Sequence, residues 1–204
     1  MTVDARSPAG SVAVRRVARR ERARVAGMLA QAFEEDGLSR WIYSDHAARL
    51  RWVQADFRLR LAQHAADGLS FTTEDVAGAA IWAAPGHWKG HASGQLRAVG
   101  AIPRVVRNHQ RIGAMQRELD RRHPSLPHLY LALLGVAAQR RREGIATALL
   151  EPGLEQADRR RIPAYVEAGS DEAAGFYETL GFARQGEVRL AGAPVVHLMW
   201  REPR

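Results

Sequence analysis

The 204-residue sequence contains no cysteine and only one lysine, Lys89. Without cysteine the chain has no disulfide bonds, no thiolate metal ligands and no cysteine nucleophile, and this composition favours a cytoplasmic location. No apolar run is long enough to span a bilayer, and the first residues lack the charged-then-apolar order of a signal peptide. We therefore expect no membrane partner and no bound metal.

Arginine supplies nearly all of the basic charge, and the formal net charge is +8. Such an excess is one indication of nucleic-acid binding. Here the arginines are scattered along the chain and alternate with Asp and Glu on helix-like segments. We predict no nucleic-acid partner, keep nucleic-acid binding as an alternative, and expect the positive charge to attract smaller polyanions.

The length and composition are those of one ordinary globular domain. Apolar residues make up 46% of the chain and charged residues 25%, which is sufficient for a sizeable core. No internal repeat or low-complexity linker divides the sequence. We predict a disordered tail of small residues at 1–10 and a single domain over 11–204.

The hydrophobic periodicity predicts an α/β protein with a mixed sheet. The first half reads as a strand, two helices, a hairpin and a basic, mostly helical stretch. Their approximate ranges are 12–17, 20–33, 45–66, 69–73 with 76–84, and 87–122. The second half alternates more regularly, as strand, helix, strand, helix, strand, strand. Those ranges are 128–136, 144–160, 164–168, 171–180, 182–190 and 195–200.

The most informative pattern follows the apolar run 128–136, which is typical of a buried central strand. A basic turn with Arg141 and Arg142 leads into a helix that opens with Gly144 and Ala146. The first amides of a helix have no partners inside the helix, and the helix dipole adds positive charge there. Because the opening residues are small, a phosphate can approach those amides closely. The pattern therefore predicts an anion site suited to a diphosphate.

The spacing alone leaves a second interpretation open. A single Gly-x-Ala pattern is more often an ordinary strand-to-helix connection whose arginines face water. Two other phosphate-binding signatures, Gly-x-x-x-x-Gly-Lys-Ser/Thr and Gly-x-Gly-x-x-Gly after a strand, are absent. On this evidence the turn indicates an anion site and no particular reaction.

Two separated motifs resemble those of the GNAT N-acetyltransferase superfamily. The turn is similar to its acetyl-CoA signature, Gln/Arg-x-x-Gly-x-Gly/Ala, with Arg141, Gly144 and Ala146 in the matching places. The later segment 173–182 is similar to the family's Phe-Tyr-x-x-x-Gly-Phe motif. The stretch 123–136 is similar to enzymes of the puromycin N-acetyltransferase type. The resemblance covers about residues 12–200, and the two motifs occur in the family's order and spacing.

The resemblance implies a fold and a cofactor site. The fold would be a mixed, twisted central sheet, flanked by helices and splayed at the cleft where the cosubstrate acetyl-CoA binds. The turn would hold the pyrophosphate, and the strand before it would pair with the pantetheine arm and polarise the thioester carbonyl. The implied cofactor-binding residues are Leu134, Val136, Arg141, Arg142, Glu143, Gly144, Ile145, Ala146, Thr147 and Ser170.

The implied reaction is direct attack of a primary amine on the acetyl group. Tyr177 would be the general acid that protonates the leaving thiolate, although packing against Phe176 is its alternative role. The base is not specified by the motifs, and Glu167, at the end of its strand, is our first candidate. The other candidates are Glu34, Glu35, Asp36, His128 and Tyr130.

The chain departs from the family pattern at two places. The family often carries Asn seven or four residues before the tyrosine, where this chain has Ser170 and Ala173. Glu143 also places a negative charge beside the expected phosphate. We therefore expect a modest affinity for acetyl-CoA.

The acceptor is the least defined part of the reaction. By resemblance we predict a small-molecule amine, such as an antibiotic or a metabolite. Protein N-acetylation and a non-catalytic acyl-CoA-binding or regulatory module are the alternatives, and a homodimer is compatible with the resemblance. The aromatic residues considered for a pocket that would take a flat or apolar amine are Trp41, Tyr43, Trp52, Trp82 and Trp88. Each of them taken alone is more often a packing residue of the core or the surface.

Overall fold

The computed structural model describes residues 12–89 and 109–204. Its strands are β1 (Val14–Arg16), β2 (Ser70–Thr73), β3 (Gly78–Ala83), β4 (Leu129–Val136), β5 (Ala164–Ala168), β6 (Ala183–Val188) and β7 (Val196–Arg201). Its helices are α1 (Arg22–Ala32), α2 (Gly37–Ile42), α3 (His46–Gln63), α4 (His109–Arg122), α5 (Ile145–Arg160) and α6 (Asp171–Thr179). The predicted tail at 1–10 lies outside the described residues, as does 90–108 of the basic stretch. The single-domain assignment stays a prediction.

The described strands form one sheet in the order β1-β2-β3-β4-β5-β7-β6. Neighbouring strands are antiparallel except β4 and β5, which are parallel. The β4–β5 pairing joins only Leu129–Leu131 to Ala164–Val166, although β4 continues to Val136. The two strands therefore separate beyond Leu131 and Val166. This mixed, open sheet with a splay between its central strands is the predicted fold class.

A β-bulge lies in β4 where the splay begins. Ile81 pairs with Leu133 while Trp82 pairs with Leu131, so Ala132 is the extra residue on β4. A bulge of this kind bends the strand and changes which face the following side chains occupy. As a result Leu134 and Val136 pack on the same face of the sheet as Leu131, which regular alternation would not allow for either of them.

The two faces of the sheet carry different helices. On the first face, α5 and α6 pack through Leu149, Leu150 and Tyr177 onto Trp82 and Val166. The second face is covered by α1, α3 and α4. Its core side chains are Val25, Leu29, Val53, Leu61, Ile81, Leu133, Met115, Tyr130 and Tyr165. We call these the α5 face and the α3 face.

Aspartate side chains cap two of these helices. Gly37 begins α2, and Asp36 caps this helix by accepting a hydrogen bond from the Ser39 amide at 2.8 Å. Asp45 caps α3 in the same way, by accepting from the Ala48 amide at 3.3 Å.

The Pro152-Gly153 pair lies inside a continuous helix. A Cβ atom placed on Gly153 would come within 2.3 Å of the Trp82 ring. The glycine therefore lets the fully buried Trp82 indole lie directly against the helix. Trp82 is therefore a core residue and does not line an acceptor pocket. Among the described helices, none is long and apolar enough to cross a membrane.

Candidate active site

A cleft of about 480 Å³ opens where β4 and β5 separate. Its walls are formed by the end of β4, the connection from α1 to α2, the turn before α5, and α6. The residues that line it include Phe33, Glu35, Asp36, Leu134, Gly135, Val136, Arg141, Ala146, Ser170, Ala173, Phe176 and Tyr177. Because α1 covers one face of the sheet and α6 the other, the cleft is bordered by groups from both faces.

The turn before α5 presents its backbone amides without internal partners. Within the described residues, no hydrogen bond engages the N–H groups of residues 142–147, and the first helical bond runs from Ala148 N–H to the Gly144 carbonyl. Arg142 and Gly144 both have positive φ, 65° and 78°. Left-handed residues in such turns direct successive N–H groups into an anion-binding concavity. The predicted anion site therefore has its backbone donors available.

The charged side chains of the turn have separate roles. Arg141 lines the cleft, and its Nη2 donates to the Ala32 carbonyl at 3.0 Å, which ties the turn to the end of α1. Arg142 is exposed. Glu143 Oε2 accepts from Arg140 Nε at 2.7 Å. The carboxylate that we expected to repel a phosphate thus has a cationic partner beside it.

The remaining residues of the turn divide between the core and the cleft. The Ile145 side chain is buried against Leu149 and the sheet, so only its amide faces a ligand. Ala146 lines the cleft and Thr147 is half-buried. A Cβ atom on Gly78 of β3 would lie 2.9 Å from the Ile145 side chain and 2.8 Å from Leu149. Gly78 therefore allows the first turn of α5 to approach the sheet closely.

Leu134 and Val136 lie in the cleft wall, as the resemblance implies. They follow the three β4 residues that pair with β5, so this edge of β4 faces the cleft and not another strand. Gly135 between them is required by packing, because a Cβ atom there would lie 2.7 Å from Leu29 and 2.9 Å from Phe33. An extended pantetheine arm can pair with an unpaired strand edge of this kind.

Ser170 also lines the cleft, but its hydroxyl oxygen has a structural role. It caps α6 by accepting a hydrogen bond from the Ala173 amide at 3.1 Å. The hydroxyl proton of a capping serine remains free to donate. Ser170 can therefore still donate a hydrogen bond to a ligand while the cap is formed.

Tyr177 lies on the α5 face at the cleft and is 7% exposed. Burial raises the pKa of its phenol well above the ordinary value near 10. The phenol is therefore protonated across the physiological range. Among the described residues nothing hydrogen-bonds to its Oη, so its proton is available to a group in the cleft.

Glu167 does not lie in the wall of the cleft that contains Tyr177. It is the first β5 residue beyond the β4 pairing, and its side chain lies on the α3 face. Tyr130 Oη donates to Glu167 Oε2 at 2.9 Å, and Tyr165 Oη donates to Oε1 at 3.4 Å. The two predicted catalytic residues, Tyr177 and Glu167, thus lie on opposite faces of the sheet at the splay.

The other base candidates have structural partners. Glu35 and Asp36 line the cleft, but Asp36 caps α2 and Glu35 lies 3.3 Å from Arg40. Tyr130 and His128 belong to a buried group around Glu167. Sequence reasoning assigned no role to His123, which lies 3.7 Å from Glu167 Oε1, because nothing in the spacing of residues 123 and 167 indicates contact.

Of the aromatic residues considered for an acceptor pocket, Tyr43 is buried in the core of the α3 face. Trp41 packs near α4, where Arg111 lies over its ring at 5.6 Å. Trp88 stacks on His123 with ring centroids 3.9 Å apart. No group of three or more His, Asp or Glu side chains within residues 12–89 and 109–204 is arranged to hold a metal ion.

A family model described as an acetyltransferase (GNAT) domain matches residues 96–199. The chain belongs to the GNAT acetyltransferase family. The enzyme is an acetyl-CoA-dependent acetyltransferase, as the two motifs predicted, and its fold implies acetyl-CoA binding. The open amides of the α5 turn and the unpaired edge of β4 fit the phosphate and pantetheine parts of that molecule.

Solved structures of other acetyltransferases share this fold. A Corynebacterium glutamicum protein named as a histone acetyltransferase and related acetyltransferase is 23% identical, with 96% of this chain and 98% of that chain aligned and a TM-score of 0.68. Arylalkylamine N-acetyltransferase 2 from Aedes aegypti is 14% identical over 96% and 100% of the two chains, also with a TM-score of 0.68. An agmatine N-acetyltransferase is 17% identical over 95% and 100%, with a TM-score of 0.60. The predicted fold class is thereby confirmed.

Proposed function

We propose that this enzyme transfers the acetyl group of acetyl-CoA to the primary amine of a small molecule. The observation that carries the proposal is the cleft at the β4–β5 splay, which is lined by the anion turn and the protonated phenol of Tyr177, with the Glu167 carboxylate at the same splay on the opposite face of the sheet. Structural neighbours that are named for small amines, agmatine and arylalkylamines, support this acceptor class. The resemblance to puromycin N-acetyltransferase-type enzymes favours an antibiotic or metabolite amine.

The residues of the α5 turn would hold the phosphates. The amides of residues 142–147 supply neutral donors at a helix N-terminus, and Arg141 and Arg142 supply full positive charge. Leu134 and Val136 would pair with the pantetheine arm through their backbone groups, and the Ser170 hydroxyl would donate a further hydrogen bond. When bound, acetyl-CoA supplies an acetyl group on a thioester.

Tyr177 and Glu167 would carry the two proton transfers. The acceptor reaches the site as an ammonium ion and must lose a proton before its nitrogen can attack, and Glu167 would take that proton. Tyr177 Oη would give its proton to the departing sulfur on the other face of the sheet. The attacking nitrogen, which is positively charged once the new C–N bond has formed, loses its second proton to water, and the phenol recovers a proton from water. Separation of the acid and the base by the sheet prevents them from exchanging a proton directly.

The test is acetyl-CoA turnover, followed as free thiol release, with a panel of acceptors. The panel contains agmatine, a phenylalkylamine, a polyamine, an amino-nucleoside and N-terminal peptides. Thiol release with at least one small amine above the rate without acceptor supports the proposal. Turnover with peptides alone would assign the enzyme to protein N-acetylation, and no turnover with any acceptor would contradict the proposal.

A further inference from the structure

Two histidines form a buried chain behind Glu167. The His123 side chain is 2% exposed, and His128 is 5% exposed. Their Nε2 atoms lie 3.1 Å apart, which is hydrogen-bond distance. His128 Nδ1 lies 2.6 Å from the Leu126 carbonyl oxygen, and His123 Nδ1 lies 3.7 Å from Glu167 Oε1. The chain therefore runs from the Leu126 carbonyl through both rings to Glu167.

The partner at one end determines the tautomer of both rings. A carbonyl oxygen only accepts, so His128 Nδ1 must carry a hydrogen. Burial lowers the pKa of His128, and the neutral ring then has a bare Nε2 that accepts. His123 Nε2 must therefore be the donor across the 3.1 Å contact. In the neutral form of His123 this leaves Nδ1 without a hydrogen.

The bare Nδ1 of His123 points towards a carboxylate. It is a buried nitrogen with no hydrogen-bond partner among the described residues. Its lone pair and Glu167 Oε1, which lie 3.7 Å apart, are both hydrogen-bond acceptors. They can therefore bind each other only when a proton lies between them. One added proton would turn this gap into an imidazolium–carboxylate pair. The arrangement is built to receive a single proton.

We propose that His123 is a positioning residue for Glu167, and that the two side chains, backed by His128, share the one proton taken from the acceptor amine. The inference rests on the proposed function, because it assumes that Glu167 is the base. The N–H bond of the ammonium breaks, and its electron pair stays on the attacking nitrogen. The proton bonds to Glu167 and then to His123 Nδ1, from which it leaves to water between turnovers.

Aromatic side chains around the His123–Glu167 pair fix its position and shield it from water. Trp88 stacks on the His123 ring at 3.9 Å, and the Tyr165 ring meets it edge-on at 5.1 Å. Glu167 already accepts from Tyr130 and Tyr165, so its position does not depend on the extra proton. The titratable or charged groups facing the pair are His128 and Tyr130 of the β4 region, Tyr165 of β5, and Arg60 of α3, which pairs with Asp56.

The first test is the titration of His123 in the free protein, followed through its ring nitrogens by NMR. In the wild type, His128 should show a hydrogen on Nδ1 throughout, and His123 should gain its second hydrogen as a single step. Glu167→Gln removes the carboxylate and keeps its shape, so the second hydrogen on the His123 ring should be lost at the pH where the wild type carries it. A second hydrogen that is retained in the variant, or a His128 ring with its hydrogen on Nε2, would overturn the proposal. This titration needs no turnover, so it judges the pair even where the proposed acetyl transfer fails.

The second test is the pH dependence of kcat/KM in His123→Gln. The glutamine amide can still donate to His128 but cannot take up a proton. An imidazole protonates at a higher pH than a carboxylate, with ordinary values of about 6.5 and 4.3. We expect the acid limb to move to lower pH and the plateau to fall about tenfold. The exposed His46→Gln is the matched control and should leave the profile unchanged. A lower plateau with an unmoved limb would mean that His123 only supports the fold.

Discussion

The α5 turn, which lines the cleft, and the Glu167 group on the α3 face of the sheet are built in opposite ways. Within the described part of the chain, the amides of residues 142–147 and the exposed Arg142 have no hydrogen-bond partners. Around Glu167 the two histidine Nε2 atoms, the two tyrosine hydroxyls and the carboxylate are hydrogen-bonded, and His123 Nδ1 has no partner among the described residues. Hydrogen-bond donors without partners suit a site that binds a negatively charged ligand. A hydrogen-bonded group in which one nitrogen atom is left unbonded suits a site that takes up and releases one proton.

The largest effect on rate should come from Tyr177→Phe. The substitution removes the phenol proton at the cleft and keeps the ring, so we expect kcat to fall about 10²-fold or more. The affinity for acetyl-CoA, measured by calorimetry, should stay within about twofold, because the α5 turn is untouched. An unchanged kcat across the pH range would remove Tyr177 as the acid and leave it a packing residue.

Asp158→Asn should lower the stability of the fold without changing ligand binding. Asp158 of α5 accepts from Arg201 Nη1 and Nη2 at 2.8 and 2.9 Å, and the Arg201 side chain is 4% exposed. Loss of the carboxylate charge leaves a buried guanidinium unpaired, which should lower the free energy of unfolding by about 3 kcal/mol. Denaturant unfolding measures the loss, while acetyl-CoA affinity at low temperature should not change.

The Asp158–Arg201 pair also predicts how the free energy of unfolding changes as the pH falls. The Arg201 guanidinium holds the pKa of Asp158 below its usual range. The folded pKa is lower than the unfolded value of about 3.9, so the stabilisation is present above that pH and is lost as the pH falls through the folded pKa. Asp158→Asn should therefore remove part of the wild-type acid destabilisation. Parallel acid unfolding curves in both proteins would contradict the role given to this pair.

Gly144→Ala should affect ligand binding more than the same change elsewhere. Gly144 has a φ of 78°, which costs an alanine about 1–2 kcal/mol, although no atom lies within 4 Å of the added Cβ. Any relaxation of the turn would redirect its amides, so we expect acetyl-CoA affinity to fall about tenfold. Gly86→Ala is the matched control, with a φ of 81° and equally open space. It should lower stability similarly and leave the affinity unchanged. Equal losses of affinity in both variants would show that the turn is not the ligand site.

The smallest effect is expected from Arg142→Ala. This side chain is exposed, so water and salt screen its charge, and we expect acetyl-CoA affinity to fall only about threefold at low salt. The difference from wild type should shrink as salt is added. Arg159→Ala, an exposed arginine in the last turn of the same helix, is the control and should have no effect. A loss that is insensitive to salt would mean that Arg142 shapes the turn and does not act through its charge.

The parts that could be predicted from the sequence are those whose cause is local. The strand periods are local patterns, and the strands lie at or near their predicted positions. The anion turn also depends on consecutive residues, and its role in binding a ligand stays a prediction. The β4–β5 splay was implied by the family resemblance, and the pairing of only three residues on each strand confirms it. The bulge at Ala132 was not predicted, because it depends on the register between β3 and β4.

The parts that were missed depend on contacts between distant residues. Trp82 was considered for a pocket because it is aromatic, but a glycine 71 positions later in α5 makes room for it in the core. His123 and Glu167 are separated by α5 and meet only after the sheet has formed. The face of the sheet on which Glu167 lies follows from its register with β4, which the sequence does not display.

The most direct measurement is the change in backbone amide signals of the ¹⁵N-labelled protein when coenzyme A is added. If the α5 turn and the edge of β4 hold the ligand, the amides of residues 142–147 and 134–136 should shift most. The amides on the far side of α3 should be unaffected. A saturable shift confined to another surface, with the signals of residues 142–147 unmoved, would contradict the placement of the site.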